Sequence, residues 1–202
     1  TTRLLDLRAV QVFLETCFPY FIFSLVVVFQ SEIRRALAEI GKAGIFSDLR
    51  GRNRESGLED VVMACTTLSK EGIGALIVFE REIGLKNYID SGTRLDARLN
   101  YDLMVTLFNP KSPLHDGAVV LHNDRILAAG CILPLTTDPY LSRELGTRHR
   151  AAIGITEETD AVCVVVSEET GKISTTQRGE VKLGLDDSQL LSFLKASMEI
   201  EY

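Results

Sequence analysis

Hydrophobic and polar positions change rhythm several times along the chain, and each rhythm predicts a different element. Residues 10–29 are apolar almost throughout. At about 20 residues, such a run just reaches the length of a bilayer-crossing helix. Gln11, Glu15 and the central Pro19 weaken a full span, whereas Arg34 and Arg35 beyond it are what a cytoplasmic flank carries. We read the run as membrane-embedded or membrane-apposed, because a buried core helix would leave an aromatic, apolar surface to cover. Residues 31–40 continue as an amphipathic helix with Ile33, Leu37 and Ile40 on one stripe, and Gly41 stops it.

The pattern breaks over residues 46–57, which are rich in Gly, Arg and Asn and read as a linker. Ser56 and Glu59 then have the spacing of a capping box, followed by Leu58, Val61, Val62, Cys65 and Leu68 at helical spacing. Residues 75–79 form a short, wholly apolar run between glycines, as expected of a strand covered on both faces. Residues 84–89 look extended, and residues 100–108 form a helix that must end at Asn109-Pro110. Strands are predicted over 118–122, 125–132, 161–167 and 172–176, the first two joined through Asn123-Asp124 and the last two by a turn ending Thr170-Gly171. A short helix fits residues 148–155, and residues 188–200 form a closing one with Leu190, Leu191, Leu194 and Met198 inward and Asp186 or Asp187 as cap. Helices interspersed with hairpins imply an α/β (α+β) fold, a mixed, partly antiparallel central sheet surrounded by helices. The expected organisation is a membrane-proximal part at 1–44, a linker at 45–57 and a globular domain at 58–202.

Composition narrows the classes. The 202 residues are 46% hydrophobic, enough for one good core, and the net charge of −6 with dispersed Lys and Arg argues against nucleic acid as a partner. The four cysteines are far apart and form no C-x-x-C pair, so a cysteine zinc site is excluded and a reducing compartment is expected. The chain begins Thr-Thr without a signal-like segment, which leads us to expect a piece of a longer protein.

The first chemical candidate is Ser112-Pro-Leu-His-Asp-Gly-Ala118. Asp116, set on a loop before an apolar strand and followed by Gly117, is placed to ligate a hard cation or draw a proton from a hydroxyl, and His115 adds an imidazole that suits manganese or cobalt better than magnesium. An ordinary Asp-Gly turn explains the same residues. The second is Gly146-Thr-Arg-His-Arg150, where Thr147, Arg148, His149 and Arg150 lie beside a predicted helix N-terminus and could cradle a polyphosphate. A solvated basic turn paired with Glu144 is the alternative. Ser167, Glu168 and Glu169 emerge at the end of a strand, either as turn residues or within reach of a base or a metal. No Walker loop, dinucleotide glycine fingerprint or serine elbow is present.

Taken together, Leu114-His-Asp-Gly-Ala118, Cys131-Ile-Leu-Pro-Leu135, Glu144-Leu-Gly-Thr-Arg-His-Arg-Ala-Ala152 and Val165-Val-Ser-Glu-Glu-Thr-Gly171 resemble the diadenylate cyclase family. Residues 26–37 resemble the junction between the last transmembrane helix and the catalytic domain in its membrane-bound branch, with earlier membrane helices missing. The resemblance implies the diadenylate cyclase fold and the condensation of two ATP into cyclic di-AMP and two pyrophosphates across a face-to-face homodimer. It implies that Asp116 activates the 3′-hydroxyl, with Gly117 and Ala118 allowing close approach of the ribose and base. Thr147, Arg148 and Arg150 would hold the phosphates with His149 nearby, Leu133 would present its backbone to adenine, and Ser167 would lie near the nucleotide. Asp116, His115 and Glu169 would ligate a divalent ion, Mn2+ in preference to Mg2+ or Co2+. The location implied is the cell membrane, with the catalytic domain on the cytoplasmic side and room for regulatory protein partners. Two positions depart from the pattern: Ser31 stands where relatives often have Pro, and Ile132 where many have a Tyr against the adenine. Loss of a stacking aromatic is worth about 1–3 kcal/mol. The rival readings are a catalytically silent, membrane-linked nucleotide sensor and a membrane-linked interaction module.

Overall fold

The computed structural model describes residues 15–20, 24, 25, 29, 47–138 and 145–198. The chain divides into two compact units, Thr1–Arg50 and Gly51–Tyr202. In the first, residues 15–20 are helical and exposed; most of the apolar run 10–29 and all of the amphipathic stripe 31–40 lie outside the described residues. Among the described residues no helix is long and apolar enough to cross a membrane.

The second unit is built on a seven-stranded sheet of order β2-β4-β3-β1-β5-β6-β7. The elements run α1 (Ser47–Glu71), β1 (Ala75–Phe79), α2 (Lys86–Ile89), β2 (Thr93–Arg98), α3 (Tyr101–Phe108), β3 (Ala118–His122), β4 (Arg125–Cys131), α4 (Thr147–Glu158), β5 (Val162–Val166), β6 (Ile173–Gln177), β7 (Glu180–Leu183) and α5 (Asp187–Met198). Among the described strands only β1 and β3 pair in parallel; every other pair is antiparallel. The mixed sheet expected from the hairpins is therefore present.

Every residue of β1 and β5 is buried, because helices cover both faces of the sheet centre. Ala75, Ile77 and Phe79 pack on one face with Val61, Cys65 and Leu68 of α1, Met104 and Phe108 of α3, and Leu190 and Leu194 of α5. Leu76 and Val78 point to the other face, against Leu85 and Ile89 around α2 and Ala152 and Ile155 of α4. The two-residue period of a strand thus divides one apolar run between two cores.

Several boundaries differ from expectation, each for a visible reason. Residues 47–57 are helical, so Ser56 lies inside α1 and not at its start. There, an added Cβ on Gly57 would sit 3.2 Å from Leu99 Cδ2. Residues 86–89 are helical where an extended stretch was expected: Leu85 and Ile89, four apart, are both buried, and the Leu85 N–H donates to Glu80 Oε1 at 2.6 Å. Strands β2 and β7 escaped prediction because they are the sheet edges. Their mostly exposed side chains leave no apolar alternation to detect.

After β4 the chain crosses α4. The Thr136 N–H donates to the Arg150 carbonyl at 3.1 Å, Thr136 Oγ1 donates to Glu157 Oε1 at 2.9 Å, and the loop lies so close that a Cβ on Gly154 would strike the Pro134 carbonyl oxygen. Gly154→Ala must therefore push the loop and helix apart. It is expected to cost about 1–3 kcal/mol and lower the melting temperature by roughly 3–10 °C in differential scanning calorimetry. A melting temperature equal to wild type would show that the two segments are not in contact.

Candidate active site

One end of the sheet gathers the chemistry. Because β1 runs parallel to β3 and antiparallel to β5, the beginning of β1, the beginning of β3 and the end of β5 lie side by side, with Ile77 opposite Val119 and Ala75 opposite Val166. The end of β4 joins them, since Ala118 pairs with Cys131. The loops carrying Gly74, Asp116, Leu133 and Ser167 consequently open at the same edge, and the N-terminus of α4 lies against it.

Asp116 is delivered by a series of turns after α3. The Lys111 N–H donates to Asn109 Oδ1 at 3.0 Å, the Leu114 N–H to Ser112 Oγ at 3.2 Å, and the His115 N–H to the Ser112 carbonyl at 3.3 Å. Gly117 then enters β3 with φ +111, and a Cβ on it would lie 2.7 Å from the Gly130 carbonyl carbon and 2.9 Å from the Cys131 oxygen. Only glycine satisfies both the conformation and the close approach to β4. The Asp116 carboxylate is exposed and has no hydrogen-bond or ionic partner among the described residues, so its oxygens are available to a ligand.

Two cavities open here. The first, about 230 Å³, is lined by Asp116, Gly117, Ala118, Leu133, Thr147 and Arg148, with Leu76, Cys131, Ile132, Leu135 and Ala151 as apolar wall. The second, about 480 Å³, is lined by Gly146, Thr147, Arg148, His149, Val166, Ser167, Glu168 and Glu169. Thr147 and Arg148 belong to both. Gly146 caps α4 in an extended conformation without a side-chain hydrogen bond, so the first-turn N–H groups have no intrahelical acceptor and, with the helix dipole, favour an anion.

The basic motif is divided by the helix. Arg148 is half-buried between the cavities and its Nη1 donates to Glu168 Oε2 at 2.8 Å. His149 is turned inward and buried, with Nε2 3.4 Å from Ser174 Oγ on β6. Arg150 is exposed and lines neither cavity. Ser167 Oγ accepts from the Thr170 N–H at 3.2 Å, which closes the turn carrying Glu168 and Glu169. Burial pushes the Cys131 thiol up to about 11, so it stays protonated at neutral pH and serves as wall, not nucleophile.

The donors expected for a metal are not gathered in one cavity, and His115 lines neither. His115 Nδ1 lies 2.6 Å from the Ser112 carbonyl and must be the donor there, which leaves Nε2 with its lone pair for a cation. Asp116 adjoins it, and Glu169 lines the second cavity while Asp116 lines the first. Among the described residues no group of three or more His, Cys, Asp or Glu is gathered closely enough to hold a metal. The residues suit a cation that takes part of its shell from phosphate oxygens or from another chain, as Mg2+-type sites commonly do.

Sequence reasoning gave no role to Leu76, Leu135 and Ala151: Leu76 was part of a strand, and Leu135 and Ala151 lay within the quoted motifs without an assigned contact. It also passed over Gly74, whose place at the start of β1 was visible only as a strand boundary.

A family model described as "DAC: DisA bacterial checkpoint controller nucleotide-binding" matches residues 62–181. The chain is 37% identical over 201 residues to the cyclic di-AMP synthase CdaA of Bacillus subtilis (strain 168), covering 98% of this chain and 74% of that protein. It is 42% identical over 174 residues to a diadenylate cyclase of Listeria monocytogenes serotype 1/2a (strain 10403S), covering 85% of this chain and 64% of that protein. Among solved structures, a double mutant of DacA from Staphylococcus aureus superposes with a TM-score of 0.71 at 42% identity, covering 72% of this chain and 97% of the other. A hypothetical membrane spanning protein from Bacillus cereus gives 0.60 at 46% identity, with 62% of each chain covered.

Burial lowers the pKa of His149 below its ordinary value of 6.5. Between the lowered value and 6.5 the unfolded chain binds more protons than the folded one, so stability falls as pH drops through that window and is regained above it. Urea unfolding at about pH 7.5 and about pH 5.5 should show this loss, and His149→Gln should remove part of it. An unchanged pH slope in the variant would mean that His149 titrates normally.

Proposed function

We infer the chemistry of this site from its family: the chain belongs to the diadenylate cyclases, the DAC nucleotide-binding family, and is an enzyme that makes cyclic di-AMP from ATP. The observation that carries the residue-level reading is the single cavity in which an unengaged carboxylate, Asp116, shares walls with Arg148 and the N-terminus of α4.

Each protomer holds one ATP. Thr147, Arg148 and the free N–H groups of the first turn of α4 bind the triphosphate; His149, kept from protonation by burial, shapes the wall of the second cavity, and Arg150 adds positive charge from outside both cavities. The base lies in the apolar part of the first cavity, between Leu76 and Ala151, with the backbone of Leu133 offering hydrogen bonds to its edge. Ile132 and Leu135, which are exposed beside it, supply aliphatic contact where an aromatic ring would stack. Gly117 and Ala118 leave room for the ribose, Ser167 borders the nucleotide, and Asp116 accepts the proton of the 3′-hydroxyl.

In a face-to-face homodimer that oxygen attacks the α-phosphorus of the opposite ATP, and the bond to the β-phosphate bridging oxygen breaks. Two such steps give cyclic di-AMP and two pyrophosphates. His115 and Asp116, with Glu169 across from them in the second cavity, would hold a divalent cation completed by phosphate oxygens; it would neutralise phosphate charge and acidify the hydroxyl, and the mixed imidazole and carboxylate donors would favour Mn2+ over Mg2+ or Co2+. Most of the acceleration then comes from positioning and charge neutralisation.

We place the catalytic domain at 58–202. The part at 1–44 is taken as membrane-proximal, with the catalytic domain on the cytoplasmic side of the cell membrane. The solved Bacillus cereus structure described as a hypothetical membrane spanning protein supports the membrane part of that placement.

Incubating the chain with ATP and Mn2+ should yield cyclic di-AMP and pyrophosphate by mass spectrometry, and Asp116→Asn should lower kcat by roughly 100-fold or more while ATP still binds. Equal product from both would remove Asp116 from the chemistry. Tight ATP binding without product in wild type would favour a silent sensor. Specific activity should fall on dilution to a demonstrated monomer, and an activity independent of dilution would sink the face-to-face scheme.

A further inference from the structure

Arg148 lines both cavities, so the direction in which its guanidinium faces decides where its charge is delivered. Two neighbours fix that direction. Nη1 donates to Glu168 Oε2 at 2.8 Å. Beside the guanidinium lies Gly74, where a Cβ would be 2.5 Å from Nη1, 2.8 Å from Cζ and 3.1 Å from Glu168 Cβ. Gly74 is not among the residues with positive φ, so it is glycine for space and not for backbone conformation.

A carboxylate beside a polyanion site weakens the local attraction. The pair is also too exposed to hold the fold together, since Glu168 is 66% and Arg148 24% exposed. Orientation accounts for it. A guanidinium offers five N–H donors in a rigid fork, and a partner on one nitrogen immobilises the plane while leaving the remaining donors directed elsewhere.

We propose that Glu168, with Gly74 as the gap that admits the pair, is the positioning residue of Arg148: it holds Nη1 and presents the rest of the fork to the polyphosphate. The proposal rests on the reading of this site as an ATP site. It concerns binding more than chemistry, because the contact is made before and after bond exchange alike.

The test is ATP titration by calorimetry, together with initial-rate kinetics, on the full chain and on Glu168→Ala, Glu168→Gln, Gly74→Ala and the Gly74→Ala/Glu168→Ala double variant. Glu168→Ala should raise Kd and KM for ATP roughly tenfold while changing kcat by less than about twofold. Glu168→Gln keeps a carbonyl acceptor and should recover most of that loss. Gly74→Ala should reproduce the KM rise with a melting temperature within about 2 °C of wild type, because the two atoms it strikes hardest are the end of the flexible Arg148 side chain and Glu168 Cβ need give only slightly. In the double variant the effects should not add, since both act on one guanidinium.

Kd within about twofold of wild type in both single alanine variants would overturn the proposal. So would tighter ATP binding by Glu168→Ala, which would make Glu168 a competitor, or a Gln variant as damaged as the Ala variant. Wild type that binds no ATP would overturn the functional reading and this proposal together, whereas wild-type binding with unaffected variants would overturn this proposal alone.

Discussion

The pairing of β1 with neighbours of opposite sense is the constraint on which the site depends. β1 lies between a parallel β3 and an antiparallel β5, and all five of its residues are buried. That arrangement puts a strand start, another strand start and a strand end at one edge, so that loops far apart in sequence open together. A slip by one residue would exchange Leu76 and Val78 with Ala75, Ile77 and Phe79 between the two cores. The register is therefore held by the cores, and with it the separation of Asp116 from Arg148. The hydrophobic effect fixes the positions of groups that are themselves polar and exposed.

The electrostatics follow from the same placement. A chain with a net charge of −6 offers little long-range attraction to a polyanion, so binding must come from a local concentration of positive potential. In the proposed site the N-terminus of α4 would provide it, with Thr147, Arg148 and the uncapped first turn. The apolar wall of Leu76, Ala151 and a thiol kept protonated by burial lowers the dielectric on one side and strengthens each of those interactions.

How much of this was legible in the sequence depended on burial. β1, β3 and β5 were readable because two covering layers demand continuous apolar runs, and α5 because Leu190 and Leu194 repeat on one stripe. The edge strands β2 and β7 were not readable, since one partner and an exposed face impose no pattern; β2 further carries a register shift around Asp96 at φ +47. Both polar motifs stood out, but the helix that starts at Thr147 turns three consecutive residues in different directions, and sequence adjacency cannot show which of them meets a ligand. Gly74 was invisible as a site residue because its contribution is the absence of a side chain beside Arg148.

What the single chain leaves open explains its chemistry best. The donors His115 and Asp116 sit on one loop while Glu169 lines the other cavity, and the described residues bring no three such groups together. Ile132 and Leu135 stand exposed at the rim of the first cavity, where isolated aliphatic side chains gain little until another surface covers them. A reaction that joins two identical nucleotides needs each to be nucleophile and electrophile in turn, and one carboxylate beside one phosphate cradle can serve only one of those roles at a time. In the proposed face-to-face dimer, two copies related by a twofold axis would remove the difficulty, because each would supply the carboxylate for its own 3′-oxygen and the cradle for the phosphate under attack. On that proposal the open cavity and the incomplete ligand set among the described residues would be features of half a site, and the rigid sheet edge would let two halves brought face to face present the same geometry to each other.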